Sequence, residues 1–156
     1  MITVDIKWNK EDINTVVNNF KSIGMSIQSG SRVFLSEIAE NIMAESKAEV
    51  PVDTGTLKSS AYITAPMTAP DGSIVVKMGY GGLNDKLNPK PDKYTGKLKM
   101  ASEYALAEHE IKYHHSIGKW KFLEDPLRRQ TRQFASLLAV KIKALLQRGG
   151  SLRSVR

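Results

Sequence analysis

Val50-Pro51-Val52-Asp53-Thr54-Gly55-Thr56-Leu57-Lys58-Ser59-Ser60 is the stretch that decides the fold, because it joins a helix end, a tight turn and a strand start. Pro51 has no backbone N–H and biases Val50 away from helical angles, so an amphipathic run before it must stop there. Asp53 or Thr54 can accept a hydrogen bond from a nearby backbone N–H, and Gly55 supplies a position that tolerates positive φ. Upstream, Phe34, Leu35, Ile38, Ile42 and Met43 make one apolar stripe while Glu37, Glu40, Glu45 and Lys47 lie elsewhere, which predicts a helix ending at Pro51.

Further upstream, Asn9 stands as an N-cap with Asp12 three residues on, and Ile13, Val16, Val17 and Phe20 recur at helical spacing. This predicts a first helix over residues 10–23, with Ser29-Gly30-Ser31 breaking or kinking the chain before the second. Ile2, Val4, Ile6 and Trp8 alternate with polar residues, the period of a short N-terminal strand. Downstream, Tyr62-Ile63-Thr64, a turn at Pro70-Asp71-Gly72, and Ile74 to Met78 predict a β-hairpin. Residues 79–99 are rich in Gly, Asn, Pro and Lys and read as a long basic loop. The segment around Tyr104 fits a strand or a short helix beside the hairpin. Asp125 followed by Pro126 predicts a helix start, with Leu127, Phe134, Leu137, Leu138, Ile142, Leu145 and Leu146 as its apolar stripe, ended by Gly149-Gly150.

The expected fold is therefore α+β: a small antiparallel sheet, from the N-terminal strand and the hairpin, with or without the Tyr104 segment, packed against two or three helices including a long C-terminal one. At 156 residues the chain fits one domain. We expect it to span residues 1–148, followed by a flexible basic tail over 149–156.

Two blocks carry a family resemblance. The first is Val50-Pro51-Val52-Asp53-Thr54-Gly55-Thr56-Leu57-Lys58-Ser59-Ser60; the second is Tyr104-Ala105-Leu106-Ala107-Glu108-His109-Glu110 followed by Gly118-Lys119-Trp120-Lys121-Phe122-Leu123-Glu124-Asp125-Pro126-Leu127. In this order, and over roughly residues 30–145, they resemble the neck or tail-completion proteins of tailed bacteriophages. These head-tail joining components are also called minor capsid proteins. The resemblance implies a structural virion protein that is not an enzyme and uses no cofactor. It would be made in the bacterial host cytoplasm and assembled as a homo-oligomeric ring between the DNA-filled head and the tail, against neighbouring neck and tail proteins. It also implies that Pro51, Asp53, Thr54, Gly55 and Leu57 shape the helix-to-strand junction, while Phe122, Leu123 and Pro126 seat the last helix.

Charge is unevenly spread. Residues 1–50 hold five Lys/Arg against seven Asp/Glu, residues 101–156 hold eleven against five, and from Pro126 onward there are eight basic residues and no acidic one. Such asymmetry suits DNA or an acidic protein, although basic helices are often only solvated faces. Lys86, Lys90, Lys93 and Lys97 in the loop, and Arg128, Arg129 and Arg132 in the last helix, are the candidates for partner contact or non-specific DNA contact. They also support an alternative, a stand-alone basic nucleic-acid-binding protein. The absence of Cys removes disulfides and thiolate metal sites. No apolar run approaches the ~20 residues that cross a bilayer, so no membrane partner is expected.

The histidines invite a metal reading, which their spacing opposes. A zinc hydrolase helix places two His at i and i+4, whereas His109 stands five residues before His114 and six before His115. No G-x-S-x-G or phosphate-cradling glycine motif is present either. The expectation is no catalytic residue, no resident metal and no cofactor site.

Overall fold

The computed structural model describes residues 10–84, 89–112 and 114–149, apart from the side chains of Asp12, Leu83, Lys90 and Arg148. The expected N-terminal strand, Lys86 and the tail 150–156 lie outside the described residues. The chain is α+β, with a long helix at each end and short antiparallel strand pairs between them.

Helix α1 spans Lys10–Glu49 without interruption, 40 residues in all. The expected break at Ser29-Gly30-Ser31 does not occur. A glycine inside a helix costs only about 1 kcal/mol relative to alanine, and Gly30 serves a packing purpose: a Cβ there would lie 2.2 Å from Leu145 Cδ1. Glycine at this point lets the last helix approach closely. At the other end Val50 N–H donates to Ser46 O (2.8 Å), and Pro51 then stops the ladder.

Gly55 adopts φ 81°, the positive angle expected of it, and starts a single helical turn, α2 (Thr56–Ser59). The hairpin follows in two ladder segments. Strand β1 (Ala61–Ile63) pairs with β4 (Met78–Tyr80), and β2 (Met67–Thr68) with β3 (Ile74–Val75), in the registers Tyr62↔Gly79 and Met67↔Val75. The turn between β2 and β3 is held by Asp71 Oδ1, which accepts the Ser73 N–H (2.9 Å) and hydroxyl (2.7 Å). Arg32 on α1 donates to Pro66 O (2.9 Å) and to the Thr68 hydroxyl, tying the hairpin to the helix.

Residues 79–84 and 89–99 hold more regular structure than the expected loop. A 3-10 turn at Gly82–Asn84 is followed by a second small hairpin, β5 (Lys90–Pro91) with β6 (Leu98–Lys99). Its turn closes on the Asp92 carboxylate, which accepts the N–H groups of Tyr94 (3.0 Å) and Thr95 (2.8 Å). The Lys99 ammonium and then these donors hold the Asp92 carboxyl well below the usual range.

Tyr104 lies in a helix, α3 (Ala101–Glu110), and not in the sheet. The Glu103 carboxylate accepts the Met100 N–H (2.9 Å) and stabilises the first turn. Helix α4 spans Glu124–Gly149, 26 residues, and starts earlier than the Asp125 cap expected for it. Lys121 sits at φ 57° and Asp125 N–H already donates to Lys121 O (3.0 Å), so helical bonding begins before Asp125. Pro126 still falls in the first turn, where its missing N–H costs little.

Helices α1 and α4 run antiparallel. The order is visible in the cross-helix pairs Glu49–Arg129 (2.7 Å), Glu37–Lys141 (3.0 Å) and the Gly30–Leu145 contact. Two clusters make up the core. Phe34, Ile38 and Ile42 pack with Met78, Phe134 and Leu138, while Val50, Leu57, Ala101 and Phe122 pack with Tyr80, Tyr104 and Ala105. Leu123 touches both and joins them. Leu127, Leu137 and Leu146, expected in the α4 stripe, are each more than 40% exposed, because α4 has one partner helix and covers only part of its apolar arc.

Candidate functional site

The two blocks singled out in the sequence are brought together in space. Val50 and Leu57 from the first share one buried cluster with Phe122 from the second, and Tyr104 packs against it. The segment before Phe122 is strapped onto the end of α1. Lys119 N–H donates to Glu49 O (2.9 Å), capping an otherwise unpaired carbonyl, and Val52 N–H donates to Ile117 O (3.4 Å). Gly118, at φ 89°, is the closest point: a Cβ there would stand 2.5 Å from Pro51 Cα. Only glycine fits, on both angle and space.

Each expected junction residue can now be placed. Pro51 and Leu57 are buried, Asp53 and Thr54 exposed, and the Thr54 hydroxyl bonds the Thr56 hydroxyl (2.8 Å). Phe122 and Pro126 are fully buried and Leu123 half-buried where α4 begins. Phe122 meets the Tyr80 ring edge-on at 5.2 Å and the His109 ring at 5.0 Å.

Beside this junction lies a mainly polar cleft of about 570 Å³. Pro51, Asp53 and Gly55 form one wall, Tyr104 and Glu108 another, and the β5–β6 turn with Asp92 and Tyr94 a third. Both blocks therefore line the same depression.

The histidines divide between two settings. His109 donates from Nδ1 to Glu110 Oε1 (2.8 Å), and its Nε2 accepts the Glu124 N–H (3.3 Å), so it caps the start of α4. His115 instead faces Glu108 (3.2 Å), and with His114 it lines the cleft. Lys121, then His109, lowers the Glu110 carboxyl below its ordinary value. Among the described residues, no three His, Cys, Asp or Glu side chains are grouped so as to hold a metal.

Two of the basic candidates are paired within the chain. Arg129 is bound within the chain by Glu45 (3.0 Å) and Glu49 (2.7 Å), and Arg128 pairs with Glu124 (2.6 Å). Lys93, Lys97 and Arg132 are exposed, and the Lys90 side chain is outside the described residues. Among the described residues, no helix is long and apolar enough to cross a membrane.

Other features of the site were not foreseen. Tyr80 donates or accepts at the buried Ser46 hydroxyl (2.8 Å), and burial pushes its phenol up to about 12. Gly118 belongs to the second block, but its role was not legible there, because a glycine between Ile117 and Lys119 carries no local signal; its proximity to Pro51 explains it. Comparison with protein-family models, with curated proteins and with solved structures found no match to this chain.

Proposed function

We propose that this chain is a structural component of a tailed bacteriophage or prophage virion, a neck or tail-completion protein that joins the DNA-filled head to the tail by assembling into a ring. One observation carries the reading: the two blocks that resemble this family, far apart in sequence, converge on one buried cluster through Val50, Leu57, Tyr104 and Phe122 and on one cleft through Pro51, Asp53, Tyr104 and Glu108. A chance likeness in two separate stretches would not have to meet in space.

The arrangement suits presentation of surfaces better than chemistry. The junction residues hold backbone angles and packing, and His109 caps a helix. The cleft, the small β5–β6 hairpin and the exposed outer face of α4 are the surfaces available to neighbouring neck and tail proteins. The stand-alone nucleic-acid reading is weakened by the commitment of Arg129 and Arg128 to carboxylates of their own chain.

The test is complementation of a phage lacking this gene, scored by electron microscopy. We expect unjoined heads and tails without the protein and joined virions with it. Infectious particles formed without any copy overturn the reading. Binding of the isolated protein to DNA that weakens steeply with added salt, with normal joining in its absence, would favour the nucleic-acid alternative.

A further inference from the structure

The tip of the β5–β6 hairpin is held by polar contacts while its aromatic side chain stands in solvent. The Asp92 carboxylate accepts the Tyr94 N–H (3.0 Å), the Thr95 N–H (2.8 Å) and the Thr95 hydroxyl (3.0 Å). Across the turn, Gly96 N–H donates to Asp92 O (2.9 Å) and Asp92 N–H to Lys97 O (2.8 Å). Gly96 takes φ 69°, which brings the chain back toward β6. These bonds fix the backbone beneath Tyr94, yet the ring is 97% exposed, more than any other large apolar or aromatic side chain among the described residues. Packing within the subunit therefore does not account for it.

The same tip is basic. Residues 90–99 hold four lysines against one aspartate, a local charge of +3. Lys99 is taken up by Asp92, but Lys93 and Lys97 are exposed and have no ion-pair partner among the described residues. They stand one residue before and three residues after Tyr94. Arg128 and Arg129 differ, being bound by carboxylates of α4 and α1. A protein partner would suit the ring as well, but lysine is depleted at protein interfaces. Free lysines on both sides of an exposed ring match a nucleic-acid strand, which offers phosphates to the ammonium groups and base faces to the ring. A duplex hides those faces in its stack, so only unpaired bases can stack on Tyr94.

We infer that the β5–β6 tip is a contact site for single-stranded nucleic acid: the Lys93 and Lys97 ammonium groups meet phosphates, and the Tyr94 ring stacks on a base. Neither contact reads base identity, so binding is indifferent to sequence. Because Asp92 holds the turn before any strand arrives, binding requires little ordering of the loop. The site goes beyond head-tail joining and stands or falls without it, since it needs only this chain and a strand, whereas joining is scored in the virion.

The experiment follows the fluorescence anisotropy of a labelled oligothymidylate of about 20 nucleotides, and of a duplex of the same length, titrated with the full chain. Wild type is expected to bind the single strand more tightly than the duplex, with an affinity that falls as salt rises. Y94A should weaken single-strand binding about tenfold and leave its salt dependence unchanged, while Y94F, which keeps the ring, should bind like wild type. The double variant K93Q/K97Q should also weaken binding and lower the salt slope by about 1.4, from two lost phosphate contacts. As all three side chains are exposed, circular dichroism should show each variant folded like wild type. No binding by wild type at low salt, equal affinity for duplex and single strand, or an unchanged affinity in Y94A would each overturn the inference. Binding that survives K93Q/K97Q intact would also overturn it, and would move the contact to another basic surface.

Discussion

The two ends of α1 carry the same kind of apolar stripe, yet one is buried and the other is bare. From Phe34 to Val50 the stripe meets α4, the hairpin and the Phe122 segment, and every position is fixed by neighbours from distant parts of the chain. From Ile13 to Phe20 the stripe is 43–70% exposed. A helix pattern thus states which face wants a partner, but not whether its own chain supplies one. The packed end should be intolerant of change and the bare end tolerant in the isolated subunit.

Gly118→Ala should break the packed end most severely. The new Cβ meets Pro51 backbone at 2.5 Å and the φ of 89° is unfavourable for any L side chain, so we expect a loss of about 3 kcal/mol in urea unfolding. Gly55→Val separates the two causes, because Gly55 has φ 81° but nothing within 4 Å of a Cβ. Here only backbone strain acts, and the expected loss is about 2 kcal/mol. An unchanged midpoint for Gly55→Val would mean that the turn relaxes without cost.

Tyr80→Phe should cost about 1 kcal/mol, since the Ser46 hydroxyl, 0% exposed, loses its partner. The same variant has a pH signature. The folded phenol titrates near about 12, above its unfolded value of 10.0, so the neutral hydroxyl supports the fold below pH 10 and that support is lost as pH rises from 10 toward 12. Wild-type stability should fall across that alkaline window more steeply than that of Tyr80→Phe; parallel curves would exclude Tyr80 as the source.

The smallest effect should come from the bare end. Phe20→Ser, at a side chain 70% exposed, should shift subunit stability by no more than about 0.5 kcal/mol when measured in dilute solution. A loss comparable to that of Gly118→Ala would show that this end of α1 is packed within its own chain, and the contrast between the ends would fall.

Local chemistry made several elements legible. The stop at Pro51, the positive φ of Gly55, the turn at Asp71-Gly72 and the Phe34–Ile42 stripe depend on residues close in sequence. The misreadings have one cause, that glycine, proline and alternation are ambiguous without their neighbours. Gly30 suggested a break but accommodates Leu145, and Asp125-Pro126 suggested a cap although the Lys121 turn had already begun the helix; Tyr104, which the sequence left open between strand and short helix, sits on helix α3 against the Phe122 cluster. The histidine run showed the same limit, since helical geometry sent His109 to α4 while His115 lies across from Glu108.

The sequence alone determined where chain direction changes and which faces are apolar, because backbone angles at Pro and Gly and the periodicity of burial are properties of a few adjacent residues. Tertiary structure alone decided that Val50, Leu57, Tyr104 and Phe122 share one cluster, that Gly118 must lack a Cβ, and that the apolar stripe of α1 is buried at only one end. Those outcomes depend on contacts between residues distant along the chain, which exist only once α4 has packed back against α1.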